Sequence, residues 1–221
     1  ISNSIQEKDP NTLFPLQAAL GYNIAQNLFI SKKNLLVEGV SDLVFLQVIS
    51  GILEAENRTF LRPDITIVPT GGLDKVSTFI SLLRGSNLEI TCLLDTFSDP
   101  KGKAKVEDLI RNKIIQKSRI RFFDEFKNDY KHADLEDLFE KGDYIKIFNQ
   151  SFTEYKDIKP EDLNSGIKRT LLQICKYLNI DRFNHYRPAN QLAKLGVDAK
   201  WFNSETLKNF ENVFLQINEL F

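Results

Sequence analysis

Acidic residues stand directly after apolar runs at several places in this 221-residue sequence. Glu38 follows Leu35-Leu36-Val37, Asp95 follows Cys92-Leu93-Leu94, and the group Asp134-Leu135-Glu136-Asp137 comes further on. Asp42 lies one helical turn beyond Glu38. If the runs are strands of one sheet, these carboxylates meet at one edge. Carboxylates brought together resist ionisation unless a cation joins them. An all-oxygen set suits Mg²⁺ or Mn²⁺ better than zinc. The chemistry implied is phosphoryl transfer, in which divalent ions polarise a phosphodiester and the protein adds positioning and a cation. Singly, each acid has a plainer reading. Asp42 suits the first turn of a helix on dipole grounds alone, and Asp134 to Asp137 suit a helix start or a solvated face.

The elements that must position these acids alternate. Asn34 to Val37 reads as a short buried strand, and Gly39 turns the chain into a helix with the stripe Val44, Phe45, Val48, Ile49, Ile52, Leu53 and Ser41 as its N-cap. Asp64 to Val68 is a second strand, closed by Pro69-Thr70-Gly71-Gly72, whose free N–H groups suit an anion as well as a tight turn. A helix carrying Val76, Phe79, Ile80 and Leu83 follows and ends at Gly85-Ser86-Asn87. Ile90 to Leu94 is a third strand, ending at Asp95. After the loop Thr96 to Gly102 comes a helix with Val106, Leu109, Ile110 and Ile114 inward, and Arg119 to Phe123 is a fourth strand. Alternation with short connections predicts an α/β fold with a mostly parallel sheet flanked by helices. Function in such sheets gathers at the carboxyl ends of the strands.

The flanks are helical. Leu16, Ala19, Leu20, Ile24 and Leu28 predict a lead-in helix over 12–30. Beyond Phe148, Pro160-Glu161-Asp162 opens a helix with Ile167, Leu171, Ile174, Cys175 and Leu178. His185-Tyr186-Arg187-Pro188 reads as a loop, and Leu207, Phe210, Val213, Phe214 and Ile217 form a last helix. The organisation expected is a lead-in helix over 1–33, a core over 34–148 and an α-helical C-terminal annex over 149–221.

Composition excludes several classes. With 42% hydrophobic and 27% charged residues the chain is globular, neither disordered nor repetitive. No apolar run is long enough to span a membrane, so a cytoplasmic location is expected. Cys92 and Cys175 match no metal or disulfide spacing. A net charge of -1 gives no global argument for nucleic acid, but Lys101, Lys103, Lys105, Arg111, Lys113, Lys117, Arg119 and Arg121 form a basic stretch able to track a phosphate backbone. The outer face of a helix would carry such lysines in any case. The start at Ile1 and the absence of Met suggest a piece of something longer.

Four pieces together carry a resemblance: Leu35-Leu36-Val37-Glu38-Gly39-Val40-Ser41-Asp42, Val68-Pro69-Thr70-Gly71-Gly72 ahead of a helix, Cys92-Leu93-Leu94-Asp95, and Leu135-Glu136-Asp137-Leu138-Phe139. In order and approximate spacing they resemble the Toprim domain of the OLD (overcoming lysogenization defect) family of ATP-dependent endonucleases. Ala19-Leu20-Gly21 and Leu28-Phe29 resemble that family's approach to the domain. The resemblance implies a Toprim fold and Mg²⁺- or Mn²⁺-dependent DNA cleavage with two ions. Glu38 is then ligand and acid/base group, Asp42 a second-site ligand, Asp95 the first aspartate of an Asp-x-Asp motif, and Glu136 a later ligand with Asp137 beside it. Where the family has its second motif aspartate this sequence has Phe97, so Asp99 becomes the replacement. Lys101, Lys103 and Lys105 are candidate DNA contacts. The family's basic residue from the helical C-terminal part is assigned to Arg187, with His185 second.

The resemblance also implies partners: DNA, an N-terminal ABC-type ATPase domain that alone would use ATP, a second copy in a homo-oligomer, and a part in anti-phage defence. No Walker A pattern occurs in this chain. Two other readings stay open at this level. One is a Toprim-like scaffold or nucleic-acid-binding module in which Phe97 has removed catalysis, the other a nuclease acting on RNA.

Overall fold

A computed structural model describes residues 32–72, 75–76, 79–80, 88–96, 100–128 and 130–221, leaving aside the side chains of residues 100, 101 and 103. Four strands, β1 (Lys33–Val37), β2 (Ile65–Pro69), β3 (Glu89–Leu94) and β4 (Ile120–Phe122), pair in the order β2-β1-β3-β4. All three pairings are parallel, with Leu36 opposite both Val68 and Cys92, and Leu94 opposite Phe122. From β1 the chain steps to one side to form β2, then returns across to place β3 on the other side of β1. The strand order therefore reverses between β1 and β3, the place where sheets of this kind gather function beyond the carboxyl ends of the strands.

The strands read as unbroken apolar runs because each face of the sheet is covered. Successive side chains alternate between faces. Leu35, Val37, Ile65, Ile67 and Leu93 belong to one buried cluster, and Leu36, Val68, Cys92, Leu94 and Ile120 to the other. The second cluster is closed by Val76 and Ile80, which lie in helical residues 75–76 and 79–80, and by Val106 and Leu109 of α2 (Pro100–Arg111). On the first face lies α1 (Val40–Ala55), burying Phe45, Leu46, Ile49 and Leu53. Behind it come α3 (Lys141–Ser151), α4 (Thr170–Leu178), α5 (Tyr186–Leu195) and α6 (Ser204–Glu219). They share α1's core through Phe148, Leu192, Phe210 and Phe214. Phe139 sits edge-on to Phe45 at 5.2 Å and to Phe210 at 4.8 Å. Residues on both sides of position 148 thus form one continuous core.

Several expectations are corrected. The N-cap of α1 is Gly39, and Ser41 lies inside the first turn: Asp42 Oδ2 accepts the Gly39 N–H at 2.9 Å, doing the capping from within. α2 begins at Pro100 and ends at Arg111, so Ile114 falls in the turn beyond it. Pro160–Asp162 is only a 3₁₀ turn; the Asn164 side chain accepts the Gly166 N–H at 2.9 Å, which breaks the path, and helix resumes at Thr170 with Ile167 outside it. The supposed loop at Tyr186 to Pro188 opens α5. Asn184 Oδ1 takes the Tyr186 N–H at 2.9 Å, and Pro188 falls in the first turn, where no N–H is needed. The expected lead-in helix, Leu83, Gly85-Ser86-Asn87, Phe97 and Asp99 lie outside the described residues. Among the described residues no helix is long and apolar enough to cross a membrane.

Candidate metal and phosphodiester site

Glu38 and Asp95 are the first residues beyond β1 and β3, on the two neighbouring strands where the order reverses. They are fastened to each other: the Asp95 N–H donates to Glu38 Oε1 at 3.2 Å. The main chain of Glu38 is held from β2, because the N–H groups of Gly71 and Gly72 both donate to its carbonyl, at 2.9 and 2.8 Å. Those two glycines have φ of +78° and +114°, a backbone that favours glycine. The free N–H groups read as an anion cradle are thus spent on positioning Glu38. On the other side, Thr96 donates its N–H to the Ala133 carbonyl at 3.0 Å and its hydroxyl to Asp124 at 2.6 Å. Asp95 is fixed from behind, and the segment after Ala133 is drawn to the same edge.

That segment is a 3₁₀ turn, Leu135–Leu138, rather than the end of a strand. Leu135 and Leu138 anchor it in the core, and Asp134, Glu136 and Asp137 are buried at 2%, 4% and 1% exposure. Asp137 Oδ2 accepts the Asp134 N–H at 3.0 Å and its Oδ1 accepts the Thr170 N–H at 2.8 Å. Arg169 grips Asp134 with two nitrogens, Nε to Oδ2 at 2.8 Å and Nη2 to Oδ1. His185 Nδ1 stands 3.7 Å from Glu136 Oε1.

The electrostatics follow from crowding. Burial, then the Asp42 charge, lifts Glu38 from 4.5 to about 7. Burial lifts Asp42 to about 6 against the hydrogen bonds it accepts, with Asp134 adding to the rise. Asp95 is pushed well above the carboxylate range by burial and then by Asp42, Asp134, Glu38 and Glu136. Glu136 moves the same way through burial and then Asp134 and Asp42. Burial with Arg169 nearby lowers His185, while Asp134 opposes. The carboxylates on three separate segments therefore feel one another as a single group.

Residues 29–96 match the family model of the overcoming lysogenization defect protein-like TOPRIM domain. Over that segment the chain is similar to an OLD-like TOPRIM domain. Solved structures resemble it, the first at the level of the fold. The C-terminal region of the Burkholderia pseudomallei OLD protein superposes with a TM-score of 0.50 at 14% identity, covering 84% of this chain and all (100%) of that one. The C-terminal region of the Xanthomonas campestris pv. campestris OLD protein gives 0.47 at 17% identity, covering 85% and 98%. No curated protein matches the chain.

Within the matched segment and the turn that packs against it, the structure brings Glu38, Asp42, Asp95 and Glu136 to one edge. Asp99 lies outside the described residues. Hard oxygen donors on a shared edge fit Mg²⁺ or Mn²⁺ in kind. Among the described residues, however, no three His, Cys, Asp or Glu side chains stand close enough together to hold an ion as placed. The repulsion just described opposes such closeness. Tyr144, fully buried, has a hydroxyl with no partner among the described residues, and after burial the charge that most raises its pKa is Glu136.

The structure does not bring Arg187 to these acids. Its guanidinium pairs with Glu154 at 2.5 Å, donates to the Ser151 carbonyl at 2.6 Å and lies 4.1 Å over the Phe152 ring. The cation placed at the acids is Arg169, which sequence reading passed over. Part of the basic stretch is also committed elsewhere. Arg119 donates to the Leu220 carbonyl, and Arg121 reaches Gln216 and, at 3.2 Å, Glu125. Lys105 is on the exposed side of α2.

Proposed function

We propose that the chain is the nuclease part of an OLD-type protein and hydrolyses DNA phosphodiesters with Mg²⁺ or Mn²⁺. The observation that carries this reading is the convergence of Glu38, Asp42, Asp95 and Glu136 at the strand ends where the order reverses. Glu38, Asp95 and Glu136 would hold the ions, with Asp42 completing the set from the first turn of α1 and Asp99 kept as a candidate from the sequence alone. When bound, the ions would supply polarisation of the scissile phosphoryl group and a lowered pKa for the attacking water. The remaining work falls to the chain's own groups. Glu38 would also act as the acid/base group; its pKa of about 7 belongs to the site without ions, and bound cations would lower it. Arg169 and His185 are the cationic and ionisable side chains nearest the acids. Arg187 would enter only if its pairing with Glu154 were exchanged for substrate. Lys101, Lys103 and Lys105 of α2 would follow the DNA backbone. An ABC-type ATPase domain of the same protein, a second copy, and a cytoplasmic role in anti-phage defence are the partners and setting that the family resemblance adds.

The test is plasmid cleavage by the full chain in Mn²⁺ and in Mg²⁺, with EDTA as control. Glu38→Ala and Asp95→Ala are each expected to lower cleavage by about two orders of magnitude or more while circular dichroism stays unchanged. Undiminished cutting by both variants would defeat the assignment. Mn²⁺ binding without cutting of DNA or RNA would favour the scaffold, and cutting confined to RNA would change the substrate.

A further inference from the structure

Of the three carboxylates at the acid turn, two are taken up by protein. Asp137 spends one oxygen on closing the turn and the other on the Thr170 N–H. Asp134 has both oxygens bound side by side by the Arg169 guanidinium. Glu136 stands differently: its hydrogen bond is to its own backbone, and its neighbour His185 at 3.7 Å is beyond hydrogen-bond length. Arg169 and Thr170 are consecutive, so a single dipeptide at the start of α4 occupies both flanking acids and leaves the middle one. Yet Asp134 is no bystander: its charge acts on Glu38, Asp42, Asp95 and Glu136 alike.

We propose that Arg169 is a positioning residue whose fork keeps Asp134 out of the ligand set, so that the acid turn offers Glu136 alone to the cation. This inference rests on the metal reading of the site given above. A bidentate guanidinium satisfies both oxygens of a carboxylate in one plane. Removing it leaves a buried carboxylate uncompensated among others, which is costly. A divalent cation relieves that cost by binding Asp134 directly. Loss of Arg169 therefore strengthens cation binding but draws the turn toward the wrong ligand.

The experiment is Mn²⁺ titration of the full chain by calorimetry, with water-proton relaxation to count the waters left on bound Mn²⁺, in wild type, Arg169→Gln and Arg169→Gln/Asp134→Asn. Arg169→Gln is expected to bind Mn²⁺ on the order of tenfold more tightly, because a nearby positive charge is gone. It is also expected to lose about one water from the ion as Asp134 enters. The double variant is expected to restore both. Tighter binding with an unchanged water count would mean charge removal alone and would overturn the inference, as would a double variant that keeps the altered count. Should Arg169→Gln fail to fold, Arg169→Lys keeps the charge without the fork. A lower water count in it supports the inference and an unchanged count overturns it. A folded wild type that binds no Mn²⁺ brings down the metal reading itself, whereas normal wild-type binding with unresponsive variants brings down only the role of Arg169.

Discussion

Glu38 is held at its carboxyl by Asp95 and at its carbonyl by Gly71 and Gly72, so its side chain stays in a crowd of like charges. Its pKa near 7, against 4.5 when free, fixes a sign. Between those values the folded chain keeps a proton that the unfolded chain has released, so folded stability falls as pH rises through the window and stays lower above it. Asp42, at about 6, pulls in the same direction. In EDTA the melting temperature is expected to drop between about pH 5 and about pH 8, corresponding to about 1–3 kcal/mol for these groups. Mg²⁺ or Mn²⁺ should raise it more at the alkaline end, and Glu38→Gln should flatten the slope. A profile rising with pH in EDTA would contradict the crowding. The acids that end strands were legible in the sequence because burial on both faces makes the strands plain apolar runs. Arg169 was not, because its partner Asp134 lies 35 residues earlier and no local pattern distinguishes it from a surface arginine.

Elements carry the next level of the argument. The turn after β2 is built on positive φ, and Gly72 at +114° has open space where a Cβ would stand, so any penalty there is conformational. Gly72→Ala is expected to cost about 1–2 kcal/mol in denaturant unfolding. It should also weaken cleavage, since the same peptide group holds Glu38. The junction of α3 and α6 is tied by Asp143, whose Oδ2 accepts the Asn203 N–H and the Thr206 hydroxyl, each at 2.7 Å, while Thr206 takes the Glu140 N–H at 2.8 Å. Asp143→Ala strands these buried groups and is expected to cost about 2–4 kcal/mol by equilibrium unfolding. The strands and α6 were read correctly because their patterns are repetitive. In the sequence the acid turn reads equally as a strand end, a helix start or a solvated face because a 3₁₀ turn is too short for a period, and the start of α5 was misread because Pro188 reads as a breaker until Asn184 is seen to cap ahead of it.

At the scale of the whole molecule, the annex proposed for 149–221 shares its core with the sheet. Glu211 of α6 grips Arg58 and the Thr59 N–H, and Asn218 holds Arg62 and the Phe60 carbonyl. Unfolding is therefore expected to be a single event. Trp201, the only Trp in the chain, reports on the C-terminal part by fluorescence, and its transition should coincide with that of far-ultraviolet circular dichroism. Two separated transitions would mean that the annex melts independently. The wholly parallel pairing also bears on how the molecule comes into being. Among the described residues no strand has a hairpin neighbour, so each pairing waits for a long loop to close, which makes for slow assembly. As the ribosome delivers the chain, Glu38, Asp42, Asp95 and the acid turn all emerge before Arg169. A nascent chain long enough to form the sheet still lacks the arginine that pairs with Asp134, so that carboxylate stays uncompensated until α4 emerges.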